Sequence, residues 1–184
     1  MTTAREWAKI IIPGLALLAA STAAVVAYLQ FNQARLSAER QDRAYVFQKT
    51  GSYRLDQWRR PVIEINLENF GKTPAFDIVT TDRCYVGPYP INPSEVRQIV
   101  RDQKGTTAAP GGGLIVAITC NRAITPDEEQ AMKDGKFAVY VSSSISYRDA
   151  FGKARNTSIR RIVGGEPAYR DDMLGVASEG DTAD

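Results

Sequence analysis

Val62-Ile63-Glu64-Ile65-Asn66-Leu67-Glu68-Asn69 is the stretch that decides the fold class. Ile63, Ile65 and Leu67 alternate with Glu64, Asn66 and Glu68. A strand sends successive side chains to opposite faces, so this spacing gathers three aliphatic groups on one side and polar groups on the other. A helix would scatter the same residues around its axis. Pro61 bounds the run before it, and Asn69-Phe70-Gly71 supplies turn chemistry after it. A strand buried on one face and solvated on the other suits an antiparallel sheet.

Working outward, residues 43–49 read as a first strand through Tyr45, Val46 and Phe47, and 54–60 as a loop. Residues 73–86 form another extended run with Phe76, Ile78 and Val79, broken by Pro88, Pro90 and Pro93. Ser94 is placed to cap a short helix over 95–102. Pro110 and the neighbouring glycines mark 105–113 as a loop, and 114–120 is again strand-like. Thr125-Pro126-Asp127-Glu128 spells a helix start: Thr at the cap, Pro at the first position, Glu three residues after the cap. Gly135 ends that helix. Residues 137–148 and 156–163 are the last two strands, joined through Asp149-Ala150-Phe151-Gly152. The pattern is mainly β: an antiparallel β-sandwich with two short helices in its connections. Crossover helices between most strands, which a parallel sheet needs, are missing. The expected core is Ile63, Ile65, Leu67, Ile78, Ile115, Val139 and Val141.

The N-terminal part reads differently. Residues 10–29 are mostly apolar, and no charge falls between Lys9 and Arg35. At about 1.5 Å per residue this run matches a hydrocarbon layer of about 30 Å. A cleaved signal peptide is the competing reading, but its apolar core is usually only about 7–15 residues. The expected division is therefore an N-terminal tail at 1–9, a transmembrane helix at 10–30, a helical stalk at 31–42, a β-sandwich at 43–165 and an acidic, solvated tail at 166–184. Ala16, Ala20, Ala23 and Ala27 recur at spacings of three and four and form one small-residue face for helix–helix contact in lipid. Flanking charges leave the orientation open: Arg5 and Lys9 precede the run, while Arg35, Arg40 and Arg43 follow it. The short N-tail and the two cysteines favour a periplasmic domain.

Composition excludes several chemistries. The chain has 184 residues, 23 Lys+Arg, 21 Asp+Glu, two Cys and no His. Without His there is no Ser-His-Asp or Cys-His pair and no His-ligated zinc or haem. Gly71-Lys72-Thr73 is similar to the end of a phosphate-binding loop, but Asn66 stands where that motif needs its first Gly. Carboxylate pairs at Asp127/Glu128 and Asp171/Asp172 lack calcium-loop spacing. Cys84 and Cys120 lack redox or zinc spacing. They either pair as a disulfide in an oxidising compartment or remain reduced in the cytoplasm. The basic groups Arg59-Arg60 and Lys153, Arg155, Arg160-Arg161 are not interleaved with aromatics, which disfavours nucleic acid. They suit either a solvated strand face or anionic headgroups.

Three segments carry a family resemblance: Arg43-Ala44-Tyr45-Val46 just after the apolar run, Asn69-Phe70-Gly71-Lys72-Thr73-Pro74-Ala75, and Ile145-Ser146-Tyr147-Arg148-Asp149-Ala150-Phe151-Gly152 followed by Arg155 and Thr157. Together they resemble uncharacterised proteobacterial single-pass membrane proteins with an N-terminal helix and an immunoglobulin-like β-sandwich. The resemblance implies an anchor and a fold, and brings no activity. The motif residues have structural readings: Asn69 bonds turn backbone, Gly71 permits a positive φ, Pro74 extends Thr73, and Asp149 and Gly152 shape a turn.

The expected function is non-catalytic, with no cofactor and no metal. The chain reads as a membrane-anchored binding or assembly protein of the bacterial inner membrane. It would contact membrane lipid and other membrane protein subunits, as an accessory subunit or scaffold. A membrane-tethered sensor or ligand-binding module is the alternative. An enzyme would require a set such as Asp149, Lys153 and Glu64 to come together in space.

Overall fold

A computed structural model describes residues 4–90, 99–165, 174–177 and 181–183, with side chains described for 14–90, 105–165, 174–177 and 181–183. The chain divides into two compact units, Met1–Asp42 and Arg43–Asp184. The first is a single uninterrupted helix, α1 (Ala4–Gln41). Its segment from Gly14 onward is long and apolar enough to cross a membrane. Pro13 lies inside α1.

The second unit is mainly β. Its strands are β1 (Val46–Leu55), β2 (Pro61–Asn69), β3 (Ala75–Pro88), β4 (Ile99–Ala108), β5 (Gly113–Thr119), β6 (Phe137–Arg148), β7 (Ala154–Gly164), β8 (Gly175–Val176) and β9 (Thr182–Ala183), with α2 (Pro126–Lys133) between β5 and β6. They form two antiparallel sheets. One has the order β1-β2-β5; the other runs β4-β3-β6-β7-β8, with β9 also on β7.

One apolar cluster takes side chains from the inner faces of both sheets: Val46, Ile63, Ile65, Leu67, Val116 and Ile118 from the first, Ile78, Val139, Val141, Ile145 and Ile159 from the second. The period-two pattern of β2 thus lands as expected, with Ile63, Ile65 and Leu67 fully buried. Ile115 does not: it is 66% exposed, and Val116 and Ile118 face inward instead. Residues 114–118 are apolar without alternation. Only the pairing of Ile65 with Val116 and Leu67 with Leu114 fixes which of them point inward.

Other expectations are also corrected. The helix expected over 95–102 is replaced by strand from Ile99 onward, while 91–98 lie outside the described residues. Tertiary pairing of β4 with β3 holds residues 99–102 as strand. One short helix, α2, is present among the described residues, not two. Strand β1 runs to Leu55 and β4 to Ala108, which shortens both expected loops. Helix α2 does form where its start signal lies. Thr125 accepts a bond from Glu128 N, and the Glu128 carboxylate accepts one from Thr125 N.

The tail is not uniformly solvated. Strand β8 pairs with Arg161 and Ile162, and β9 with Thr157 and Ser158, so the edge of β7 is partly covered.

Candidate functional site

The two motif turns lie at one end of the sheets. Register places Val46 opposite Asn69 and Phe76 opposite Arg148. The end of β2, the start of β3, the end of β6 and the first residues after α1 therefore lie together.

Asn69 is the hub there. It is fully buried. Its Oδ1 accepts from Tyr45 N and Gly71 N, each at 3.0 Å. Its Nδ2 donates to Thr73 O at 2.8 Å and Ala108 O at 3.1 Å. A side-chain amide has two donors and two strong acceptor sites, so its capacity is filled. Its backbone joins the same knot: Asn69 N donates to Gly112 O, and Gly111 N donates to Asn69 O.

Gly71 serves a different purpose from the one expected. Its φ is not positive. A Cβ here would stand 2.2 Å from Arg43 O and 2.6 Å from Ala44 Cα. Glycine is needed because the backbone of 43–45 passes directly over it. Pro74 lies between this turn and β3, which begins at Ala75.

The opposite sheet grips the same segment. Tyr147 Oη accepts from Val46 N at 3.3 Å and donates to Ala44 O at 3.4 Å. Thr157 Oγ1 donates to Val46 O at 2.9 Å. Ala44 and Val46 are buried. These two fasteners were hidden in the sequence. The signal that marks them is a polar atom at an inward strand position: Thr157, Ile159, Arg161 and Val163 share one face of β7, and two of the four are polar.

The β6–β7 turn is built around Asp149. Its Oδ1 accepts from Phe151 N at 3.0 Å and Lys153 N at 2.9 Å. Its Oδ2 accepts from the Arg155 guanidinium at 3.0 Å. Burial pushes this carboxyl upward, but the two backbone N–H groups and Arg155 together outweigh burial and hold it below the ordinary carboxylate range. Gly152 follows at φ 76°, the left-handed conformation the turn requires. Both motifs are thus absorbed by turn construction.

The remaining sequence candidates fall apart from one another. Glu64 of β2 pairs with Arg54 of β1, while Asp149 and Lys153 share the β6–β7 turn, so the three do not meet. Arg59 is held by Glu129, Arg60 by Asp56, and Arg161 by Asp181. No group of His, Cys, Asp or Glu able to hold a metal occurs among the described residues. Cys84 of β3 and Cys120, just beyond β5, are joined as a disulfide that crosses from one sheet to the other. Ala16, Ala20, Ala23 and Ala27 lie exposed on α1. At 100° per residue they fall within one narrow face. Phe70, Phe76 and Phe151 are exposed at the end where β1 begins, by 51%, 39% and 40%.

A family model described as a domain of unknown function, DUF8453, matches residues 7–162. The chain belongs to that family. The match takes in most of α1 and the strands through β7, so helix and sheets together make up the DUF8453 unit. No curated protein matches. Among solved structures, a β-glucosidase, DesR from Streptomyces venezuelae in complex with D-glucose, is similar at 13% identity with a TM-score of 0.32. That match covers 73% of this chain, which spans only 15% of the glucosidase.

Proposed function

We propose that this DUF8453 chain is a non-catalytic assembly protein of the bacterial inner membrane. Residues 10–30 would span the bilayer once. The β-domain would lie in the periplasm as an accessory subunit or scaffold for other membrane proteins. The observation that carries the reading is the fastening of residues 43–46. Asn69, Gly71, Tyr147 and Thr157 all hold this first segment of the β-domain. Four holding residues keep this end of the β-domain in a single shape, as a surface for a partner requires.

Supporting details point the same way. The arrangement β1-β2-β5 over β4-β3-β6-β7 suits an immunoglobulin-like sandwich whose fourth strand joins the second sheet. A fold of that class hosts many unrelated functions, so the surface residues carry the argument. Exposed Phe70, Phe76 and Phe151 supply apolar contact surface of the kind enriched at interfaces. The Cys84–Cys120 disulfide suits an oxidising compartment. In lipid, the Ala16, Ala20, Ala23 and Ala27 face lets a neighbouring helix approach closely.

Purification from native membranes in mild detergent tests the reading. A stoichiometric protein partner is expected. A bound small molecule without such a partner would instead favour a membrane-tethered sensor. Substituting Leu at Ala20 and Ala23 keeps the helix apolar but fills the small-residue face, and is expected to weaken partner recovery. Full recovery with the double substitution would remove the helix from the interface.

A further inference from the structure

We propose that the outer edge of β7 is a docking strip for an extended acidic segment of another protein, and that the chain's own C-terminal tail occupies it in cis. The inference does not depend on the assembly reading. Strand β7 reads ARNTSIRRIVG, with three arginines and no acidic residue. An edge strand offers unpaired backbone groups to any extended chain. Here the tail answers them in a particular way. Asp181 Oδ1 accepts from Arg160 N at 3.0 Å, taking the place a strand carbonyl would hold. The same carboxylate grips the Arg161 guanidinium from both oxygens, at 2.7 and 2.9 Å. Ala177 N donates to Arg160 O at 3.2 Å. On either side lie the short pairings of β8 with Arg161 and Ile162 and of β9 with Thr157 and Ser158.

At Asp181 the grip is a carboxylate held between backbone and arginine, while Leu174 and Ala177 add apolar contact. Ala177 is buried and Leu174 packs against the core, but Val176 is 61% exposed, and Thr182 and Ala183 are exposed. Arg161 is a guanidinium only 6% exposed on an inward strand position. A buried arginine of this kind requires a carboxylate partner, and a fork-shaped pair gives register as well as charge recognition. The recognition at Asp181 itself uses only a carboxylate and extended backbone. Any extended segment with an acidic side chain in the position of Asp181 meets the same donors. A second β7 does not fit, because that strand carries no acidic residue to take the place of Asp181.

The test uses the full-length chain in mild detergent and a fluorescent peptide of residues 174–184. With the tail in place, the wild-type chain is expected to bind the peptide weakly. Asp181→Asn in the full chain loosens the tail and is expected to raise peptide affinity at least tenfold. A chain ending at residue 173 should do the same. A peptide carrying Asp181→Asn should bind either variant at least tenfold more weakly. Equal binding to wild type and to both variants would overturn the proposal, and so would no binding to an Asp181→Asn chain whose circular dichroism matches wild type. Conversion of that variant to a dimer that excludes the peptide would also overturn it, because the occupant would then be a second copy of this chain.

Discussion

Asn69→Ala is the sharpest test of how the domain is held together. The substitution removes four side-chain hydrogen bonds, to Tyr45 N, Gly71 N, Thr73 O and Ala108 O, from a fully buried position. A typical bond contributes about 1 kcal/mol net, so the four together contribute about 4 kcal/mol. Leaving buried partners unsatisfied adds to the loss, and a water entering the space offsets part of it. Domains commonly have only about 5–15 kcal/mol of stability, so this change removes a large share. With a urea slope of about 2 kcal/mol per M, the midpoint should fall by about 2 M. Helix α1 contributes a strong far-ultraviolet signal of its own, which makes far-ultraviolet dichroism a poor probe of the sheets. The near-ultraviolet signal of Tyr140 and Tyr147, 4% and 3% exposed, reports the sheets instead. A midpoint within about 0.5 M of wild type, at unchanged slope, would refute the claim that Asn69 is the fastener.

Gly71→Ala forces a Cβ to within 2.2 Å of Arg43 O, so 43–45 must shift. The expected loss is about 2–4 kcal/mol in the same titration, against a few tenths for Gly14→Ala, whose Cβ meets nothing. Asp149→Asn should cost about 2 kcal/mol at pH 7, because hydrogen bonds to a charged carboxylate are lost. The folded Asp149 carboxyl lies below its ordinary value, so its stabilisation is fully present above the unfolded pKa near 3.9 and fades as pH falls through the folded value. Wild type and Asp149→Asn should therefore differ at pH 5 and above and converge in acid below about pH 4, as followed by urea midpoints across pH. Replacing both Cys84 and Cys120 with Ser releases a bridge across a sequence separation of 36. Chain entropy puts the expected loss at about 4 kcal/mol, and an unchanged thermal midpoint under non-reducing conditions would contradict the pairing.

Much of this architecture was legible in residue order, for identifiable reasons. Strong local signals survived folding. The alternation at 62–69 became β2, Thr125-Pro126-Asp127-Glu128 became a capped helix, residues 137–148 became β6, and the apolar run became a single long helix. In each case the periodicity or cap chemistry acts within a few residues of chain, so the sequence alone carries it. The turn roles of Asn69, Asp149 and Gly152 were likewise local, since Asx-type bonds close over two to four residues.

Pairing decided the rest. Ile115 and Val116 are equivalent by hydropathy, and only their register against β2 turned one outward and the other into the core. Residues 99–102, expected as helix, became strand through the ladder between β3 and β4. Gly71 looked like a turn residue, but the need for glycine comes from a backbone more than twenty residues earlier in sequence. Tyr147 and Thr157 reach Val46 across sequence separations of 101 and 111. Asp181 meets Arg161 only because an acidic tail folds back on a basic edge. Short-range order is set by propensity and pattern. Which distant donor meets which acceptor is set by how two sheets close on one another, and no local reading of the chain contains that.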